Sequence, residues 1–203
     1  AAEHAMKRII PILSISVSFL ACGDGRESGT EEPARVEAPA PAPPVSAPAS
    51  PSGPLSIPGW YAYDDAANSV HITLVAGETD RNNYWNYNGA IRGELDITVP
   101  LGTTVTIDMV NNDPAMAHSV GVSAELENFG APPAPIPVFE GAITPDPQSM
   151  TVGGLPGETQ TMTFVADAAG EYSLVCYIPG HSAVGMWLYF TVSADGEAGV
   201  QGL

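Results

Sequence analysis

A short segment near the C-terminal end of this 203-residue chain carries three kinds of metal ligand at fixed spacing. Cys176 is followed after four residues by His181 and after four more by Met186. Thiolate, imidazole and thioether are soft or borderline donors that copper selects, and a His2Cys set with a weak axial Met is the blue-copper constellation. The spacing therefore predicts a copper site that lacks only a second histidine.

The second histidine is sought among the three others in the chain. His4 falls in a predicted targeting segment. His71 lies in the alternating strand 69–74, opposite its apolar side, which favours an ordinary solvent or rim histidine. His118 follows a predicted strand end and turn and opens an apolar run, and binding residues often lie where a rigid scaffold meets a loop. We expect His118 to complete the set.

The chain has two cysteines, which do not resemble a disulfide pair. Cys176 could be a small buried core residue, as free cysteines often are. His181 and Met186 at ligand spacing favour ligation instead. Cys22 ends an apolar stretch, and no Cys-x-x-Cys pair is present, which excludes zinc-ribbon and thioredoxin-type sites.

Residues 59–195 form the predicted domain and contain short segments that alternate between apolar and polar side chains, as β-strands with one buried face do. Short runs of this kind, broken by Gly, Pro and Asn, predict an all-β Greek-key sandwich of about seven or eight strands. No segment shows convincing helical periodicity. The C-terminal tail, residues 196–203, is expected to be loose. The alternating positions are Leu95, Ile97, Val99, Val105, Ile107, Met109, Met162, Phe164, Met186, Leu188, Phe190 and Val192.

A long proline-rich stretch, residues 124–147, interrupts the strand pattern and predicts an irregular loop. Loops of this length are often functional, although the sequence does not assign this one a role. Its larger apolar residues are expected to fold back over the core. They are Phe129, Ile136, Val138 and Phe139.

The N-terminal third of the chain predicts export and a tether. Residues 1–22 combine Lys7 and Arg8 with a short apolar run and end in Ala21 and Cys22, as a signal peptide with a lipobox-like cysteine does. We expect Cys22 to carry a lipid anchor. Residues 23–58 are rich in Ala, Pro, Ser and Glu and predict a disordered linker. The protein is then extracytoplasmic, lipid-anchored to a membrane and facing the periplasm or the cell exterior.

The formal charge of −17, from 23 acidic and 6 basic residues, limits the partners. Such a surface repels nucleic acid and attracts cationic proteins. We therefore expect no nucleic-acid binding.

Five segments together resemble sulfocyanin, a cupredoxin related to rusticyanin, and the likeness runs from Trp60 to Val192. The resemblance implies a cupredoxin sandwich with one type 1 copper ion that carries single electrons. It assigns His118, Cys176 and His181 as strong ligands and Met186 as the axial one. The five segments are 87–90, 95–100, 105–113, 116–119 and 172–186.

Two residues near His118 are expected to support the site. Ser119 is positioned to form a hydrogen bond around the ligands, and such outer contacts tune the metal. Met116 would share the face of His118 in an extended strand and is expected to pack over the site. The alternative is that Met116 competes as a metal ligand. His181 follows a Pro-Gly turn, which predicts an imidazole near the surface with small or apolar, uncharged neighbours.

These observations favour a non-enzymatic electron carrier, which we expect to be a monomer. Its expected partners are redox proteins such as a c-type cytochrome, a quinol-oxidising complex or a terminal oxidase. The alternative is a copper-handling protein, but the six methionines are scattered instead of clustered. A copper enzyme needs an open coordination position, which one saturated ligand set does not offer.

Overall fold

The computed structural model describes residues 51–202. The predicted signal segment, the anchor at Cys22 and most of the linker lie outside this range and stay predictions. Within it, nine strands and one short 3-10 turn, Ser182–Val184, make up the regular structure. The strands are β1 Tyr61–Asp64, β2 Ser69–Ala76, β3 Leu95–Pro100, β4 Thr104–Asn111, β5 Gly121–Ser123, β6 Thr159–Val165, β7 Gly170–Val175, β8 Trp187–Ser193 and β9 Gly199–Gly202.

The strands form two sheets, in the orders β1-β2-β4-β6 and β5-β7-β8-β3-β9. The β2–β4 and β3–β8 pairs are parallel, and every other pair in these sheets is antiparallel. β2 and β4 are neighbours in the first sheet, but β3, which lies between them in sequence, belongs to the second sheet. The chain therefore crosses between the sheets instead of pairing strands in sequence order. The predicted all-β Greek-key sandwich is confirmed.

One apolar core fills the space between the sheets. In β2, β4 and β6 of the first sheet, buried residues alternate with more exposed ones, as the sequence pattern predicts. The rings of Phe164 in the first sheet and Phe190 in the second lie 6.0 Å apart, edge to face. The buried members from both sheets include Ile72, Leu74, Ile97, Ile107, Met109, Met162, Leu174 and Leu188.

Strand β8 is buried on both faces. Leu188 and Phe190 face the main core, whereas Trp187 and Tyr189 belong to a second cluster on the other side of the sheet. The 124–147 loop covers that second side, since Phe129 packs edge to face against Trp187 at 5.5 Å.

The proline-rich loop is irregular, as predicted, and most of its larger apolar residues pack inward. Phe129 and Phe139 are buried, and Val138 packs against the main core. Ile136 is 74% exposed, so the prediction for that residue is wrong. It lies between two prolines in a tight turn, where its N–H donates to the Ala134 carbonyl at 2.8 Å.

The prediction of a loose C-terminal tail is also wrong. Strand β9 pairs antiparallel with β3, opposing Val200 to Ile97, and Val200 is buried. Ser56, from the end of the predicted linker, exchanges backbone hydrogen bonds of 2.9 and 2.8 Å with Val200. The tail holds few apolar residues, but one valine in register is enough to cover the open edge of β3.

No helix among residues 51–202 combines the length and the hydropathy that crossing a membrane requires.

Candidate metal centre

Three candidate ligands lie where β7 turns back into β8. Cys176 directly follows β7, Met186 directly precedes β8, and His181 begins the short 3-10 turn between them. The Cys176 N–H donates to the Met186 carbonyl at 3.2 Å, and the Met186 N–H donates to the His181 carbonyl at 3.0 Å. The turn between two paired strands thus fixes the three residues relative to one another.

His118 reaches the same place from the opposite loop, between β4 and β5. Its N–H donates to the Gly154 carbonyl at 3.0 Å, and a Cβ on Gly154 would lie 1.9 Å from the His118 carbonyl oxygen. Only a glycine fits at that approach, so the backbone of residues 150–155 seats His118 against the site.

The donor atoms of His118, Cys176 and His181 converge. The two Nδ1 atoms are 3.2 Å apart, and the Cys176 Sγ lies 3.9 Å from Nδ1 of His118 and 3.6 Å from Nδ1 of His181. In the plane of the three atoms, one point lies about 2.1 Å from all of them, close to the bond lengths that imidazole and thiolate make to a first-row metal ion. The donor set therefore fits one metal ion.

The site is closed to solvent. His118 and His181 are each 1% exposed, and Cys176 and Met186 are fully buried. Burial raises the pKa of the Cys176 thiol, opposed by hydrogen bonds from the backbone N–H groups of Ser119 and Ile178. A metal ion bound here would favour the thiolate, because coordination displaces the proton.

His118 is oriented by a buried carboxylate. Its Nε2 lies 2.9 Å from Oδ2 of Asp113, and both side chains are buried. The pKa of His118 is lowered by burial, although Asp113 opposes the shift. A neutral imidazole that donates from Nε2 leaves the lone pair of Nδ1 free for a metal, which fixes the tautomer that ligation needs.

His181 is oriented by stacking, and the prediction that its imidazole lies near the surface is wrong. The indole of Trp85 covers the ring at a centroid distance of 3.9 Å and an interplanar angle of 17°. Burial, followed by the nearby His118, lowers the pKa of His181 to about 3. The His181 Nε2 is buried and has no hydrogen-bond partner.

The surroundings of the 3-10 turn are not uncharged. The Arg92 side chain crosses Gly185, and its guanidinium donates to the Val184 carbonyl at 3.3 Å. Val184 is 42% exposed, so an apolar side chain and a cation share this surface. The loop sequence alone concealed the arginine, which arrives from the segment before β3.

The two predicted supporting residues are placed differently. The Ser119 Oγ lies 3.9 Å from the Cys176 Sγ and accepts the Tyr177 N–H at 3.0 Å. Met116 is partly exposed, and its carbonyl accepts from the Asn111 side chain at 2.8 Å. Packing of the Met116 thioether over the site stays a prediction.

His71 is exposed on β2 and lies 2.8 Å from Asp108, as expected for a surface histidine.

Sequence reasoning missed Asp113, Trp85 and Tyr87 as parts of the site. The Tyr87 hydroxyl donates to the Ser119 carbonyl and is fully buried. Asp113 lies in an Asn-Asp-Pro turn five residues before His118, and such turns often use an Asx side chain to bind nearby backbone. That was a usable signal. Trp85 gave none, because its contact joins residues 96 positions apart.

The geometry defines the class: an all-β sandwich with a buried mononuclear centre of two histidines and one cysteine. The Sulfocyanin (SoxE) domain family matches residues 59–198. The chain belongs to the sulfocyanin family. Copper is the metal of this family's site, and the donor set described above fits it.

Individual relatives agree with this assignment. A sulfocyanin of Sulfolobus acidocaldarius is 30% identical over 137 residues, which span 64% of this chain and 67% of that protein. Auracyanin-A of Chloroflexus aurantiacus is 31% identical over 99 residues, 43% of this chain and 59% of its own length. Rusticyanin of Acidithiobacillus ferrooxidans is 28% identical over 92 residues, 45% of this chain and 46% of its own length.

Solved structures with a similar chain trace include a copper protein, rusticyanin, with a TM-score of 0.45 and 21% identity over 66% of this chain and 88% of that one. Auracyanin A of Chloroflexus aurantiacus, described as a blue copper protein, gives a TM-score of 0.42 and 22% identity over 62% of this chain and 99% of that one.

Proposed function

We propose that this protein is a type 1 copper electron carrier that takes one electron from a reduced donor and passes it to an oxidised acceptor. The observation that carries the proposal is the closed triangle of His118, Cys176 and His181 donors, with Met186 buried beside them. When bound, copper supplies a one-electron couple. Substrate cannot reach a metal at such a site, which favours electron transfer over catalysis.

The chain's own contribution is rigidity. Cys176, His181 and Met186 are tied together by backbone hydrogen bonds, and His118 is tied to Gly154 from the other loop. Because the ligands are held in one arrangement by a packed sandwich, little has to move when the charge of the centre changes by one. Small rearrangement is what makes one-electron transfer fast.

We place the electron's exit at the contact between His181 and Trp85. The His181 ring is buried, whereas Trp85 is partly exposed and stacks on it. A redox partner that touches Trp85 reaches the copper through two π systems in contact. Val184 lies in the turn that follows His181, and its carbonyl accepts from the Arg92 guanidinium; we propose that both residues contact the same partner.

The partner is proposed to be a basic redox protein, such as a c-type cytochrome, with a quinol-oxidising complex or a terminal oxidase completing the chain. The described residues hold two arginines, Arg81 and Arg92, against a large excess of carboxylates, and Arg81 is paired with Glu94. Distributed carboxylates accelerate encounter with a cationic surface. We further propose an extracytoplasmic location with a lipid on Cys22.

Burial of the ligands disfavours a copper-handling role. Transfer of copper to another protein requires that incoming ligands reach the metal, and both histidines are 1% exposed.

The test is to load the full chain with Cu(II), record the visible spectrum and then cycle the sample with ascorbate and ferricyanide. An intense thiolate-to-copper band that bleaches and returns through repeated cycles is expected. A strong copper chelator, added in excess, should remove the metal slowly. Absence of the band would refute the type 1 site, and loss of copper to the chelator within seconds would favour copper handling.

A further inference from the structure

Asp113 is the centre of a hydrogen-bonded turn between β4 and His118. Its Oδ1 accepts the N–H of Ala115 at 2.8 Å and the N–H of Met116 at 3.0 Å, while Oδ2 contacts the imidazole of His118. The N–H of Asp113 donates to the Asn111 side chain at 2.9 Å. Every oxygen of this carboxylate is therefore held by a donor that points at it.

The turn is also fixed from behind. The Asn111 amide donates to the carbonyls of Met116 at 2.8 Å and Gly154 at 2.7 Å. Gly77 lies so close that a Cβ there would come within 2.7 Å of the Asp113 backbone nitrogen. The backbone of Asp113 is therefore packed closely against Gly77, and its side chain is held toward His118 by the hydrogen bonds above.

Asp113 places a negative charge inside the protein. The residue is 2% exposed. Two backbone N–H groups, of Ala115 and Met116, and the His118 ring donate to its carboxylate, and hydrogen bonds of this kind favour the charged form. A charge in such surroundings is weakly screened by solvent and by salt, unlike a surface carboxylate.

The two metal-facing histidines differ in this respect. His118 has a carboxylate on the nitrogen that faces away from the metal, and His181 has no hydrogen-bond partner on the corresponding atom. The site thus receives its only direct carboxylate contact among the described residues through His118.

We propose that Asp113 is a positioning residue that holds His118 for ligation and, through its buried charge, lowers the reduction potential of the centre. The inference rests on the proposed copper function and adds the group that adjusts it.

Two physical effects point in the same direction. A nearby negative charge stabilises the more positive oxidised centre relative to the reduced one. A carboxylate that accepts from Nε2 makes the imidazole a stronger donor at Nδ1, which also favours the oxidised state. Both effects lower the potential, so removing the charge raises it.

The experiment is an equilibrium redox titration of the copper-loaded full chain and of its Asp113→Asn variant, each followed by the visible band. Asparagine keeps the shape and an oxygen that accepts from His118, but lacks the charge. We expect the blue band to persist and the potential to shift upward. Asp113→Glu retains the charge and should show no such upward shift.

Asp108→Asn is the matched control. Asp108 forms the same kind of contact with a histidine, 2.8 Å from the Nε2 of His71, but on the exposed face of β2 and β4. Its potential should equal that of the unmodified protein. A shift in Asp108→Asn as large as in Asp113→Asn would overturn the proposal.

Other outcomes are equally decisive. An unchanged potential in blue Asp113→Asn, or the same upward shift in Asp113→Glu, would refute a role for the charge. If Asp113→Asn does not bind copper, the reduction potential of Asp113→Glu provides the test. A potential of Asp113→Glu above that of the unmodified protein contradicts the proposal, and one at or below it agrees with the proposal. Absence of the band in the unmodified protein would instead refute the copper function.

Discussion

The indole of Trp85 stacks on the imidazole of His181, with ring centroids 3.9 Å apart and planes 17° from parallel. The segment that presents Trp85 is held by Asn86, whose side-chain amide donates to the carbonyls of Thr79 and Arg81, each at 2.8 Å. Asn82 adds a bond to the Trp85 carbonyl at 2.8 Å. The tryptophan is therefore a fixed cover over a metal ligand.

The first prediction concerns this cover. Trp85→Leu should keep the copper band, because the ligands are untouched, but should slow electron transfer to a protein partner several-fold, because the stacked π contact is lost. Stopped-flow mixing with a basic cytochrome c measures the rate. Tryptophan fluorescence gives an independent readout, since emission gained on copper removal should be smaller in the variant.

Trp60→Leu is the control for this experiment. Trp60 is partly buried, packs against the main core and has its indole outside the metal centre. If Trp60→Leu slows the reaction as much as Trp85→Leu does, or if neither slows it, the electron leaves by another path.

The second prediction concerns the surface beside the turn. Val184→Glu should slow electron transfer to the partner without changing the copper spectrum, because it puts a charge, which must be desolvated on docking, into an apolar contact. Val165→Glu is the control, because Val165 is 48% exposed and Val184 is 42% exposed. Val165 lies on β6, in the sheet that does not carry the Cys176–Met186 turn. Equal rates for the two variants would place the docking surface elsewhere.

Salt provides a second measurement on the same samples. Attraction between an acidic carrier and a basic partner is screened beyond a Debye length of roughly 8–10 Å at physiological salt. The rate of the unmodified protein should fall as ionic strength rises. A rate indifferent to salt would argue against a basic partner.

Much of the fold and most of the ligand set could be predicted because both depend on residues that are close together in sequence. Period-2 alternation in Leu95–Pro100 and Thr104–Asn111 predicts strands without reference to the rest of the chain. The spacing of Cys176 and His181 predicts metal ligands in the same local way. The errors share a different cause. The surface prediction for His181 considered only its neighbours in sequence, but Trp85 covers it from 96 residues away.

The tail illustrates the same limit. Residues 196–203 hold three apolar residues, Ala198, Val200 and Leu203, which is too few to predict a strand, and the strand forms because β3 has an open edge that it can pair with. The open edge of β3, the Trp85 ring over His181 and the buried carboxylate of Asp113 arise only when the sandwich is assembled, so the local sequence does not reveal them.

The third prediction concerns the ligands. Cys176→Ser should abolish the coloured site, since a hydroxyl cannot replace the thiolate, and His118→Ala should open or empty it. Met186→Leu should retain copper and colour and shift the potential upward, because only a weak axial donor is lost. Visible spectra with metal analysis measure all three. Colour in Cys176→Ser, or complete copper loss in Met186→Leu, would contradict the assignment.

The fourth prediction concerns the N-terminal segment. Cys22→Ser should move the protein out of the membrane fraction and leave the copper band of the recovered protein unchanged, because the anchor and the metal centre share no residue. Fractionation and mass spectrometry of the mature N-terminus are the measurements. A mature N-terminus elsewhere, without acyl groups, would contradict lipidation.

The last prediction concerns acid and the copper-free protein. Burial lowers the pKa of His181 to about 3 and also lowers that of His118, whereas an unfolded histidine titrates near 6.5. Below about pH 6.5 these histidines therefore bind protons in the unfolded chain but stay neutral in the folded chain. The free energy of unfolding should fall as the pH drops from about 6.5 toward 3, by roughly 1.4 kcal/mol per pH unit from His181, and His118 adds to the fall in the same direction.

Urea unfolding of the copper-free protein at pH 7, 5.5 and 4 measures this slope. His181→Gln removes one titrating group and should flatten it, while copper should stabilise the unmodified protein at pH 7 by binding only the folded state. The carboxylate of Asp113, whose pKa is lowered in the fold, adds to the loss only as the pH falls below about 4. The decline between pH 6.5 and about 5.5 thus reports on the histidines, and an equal slope there in His181→Gln would mean that His181 does not stay neutral in the copper-free fold.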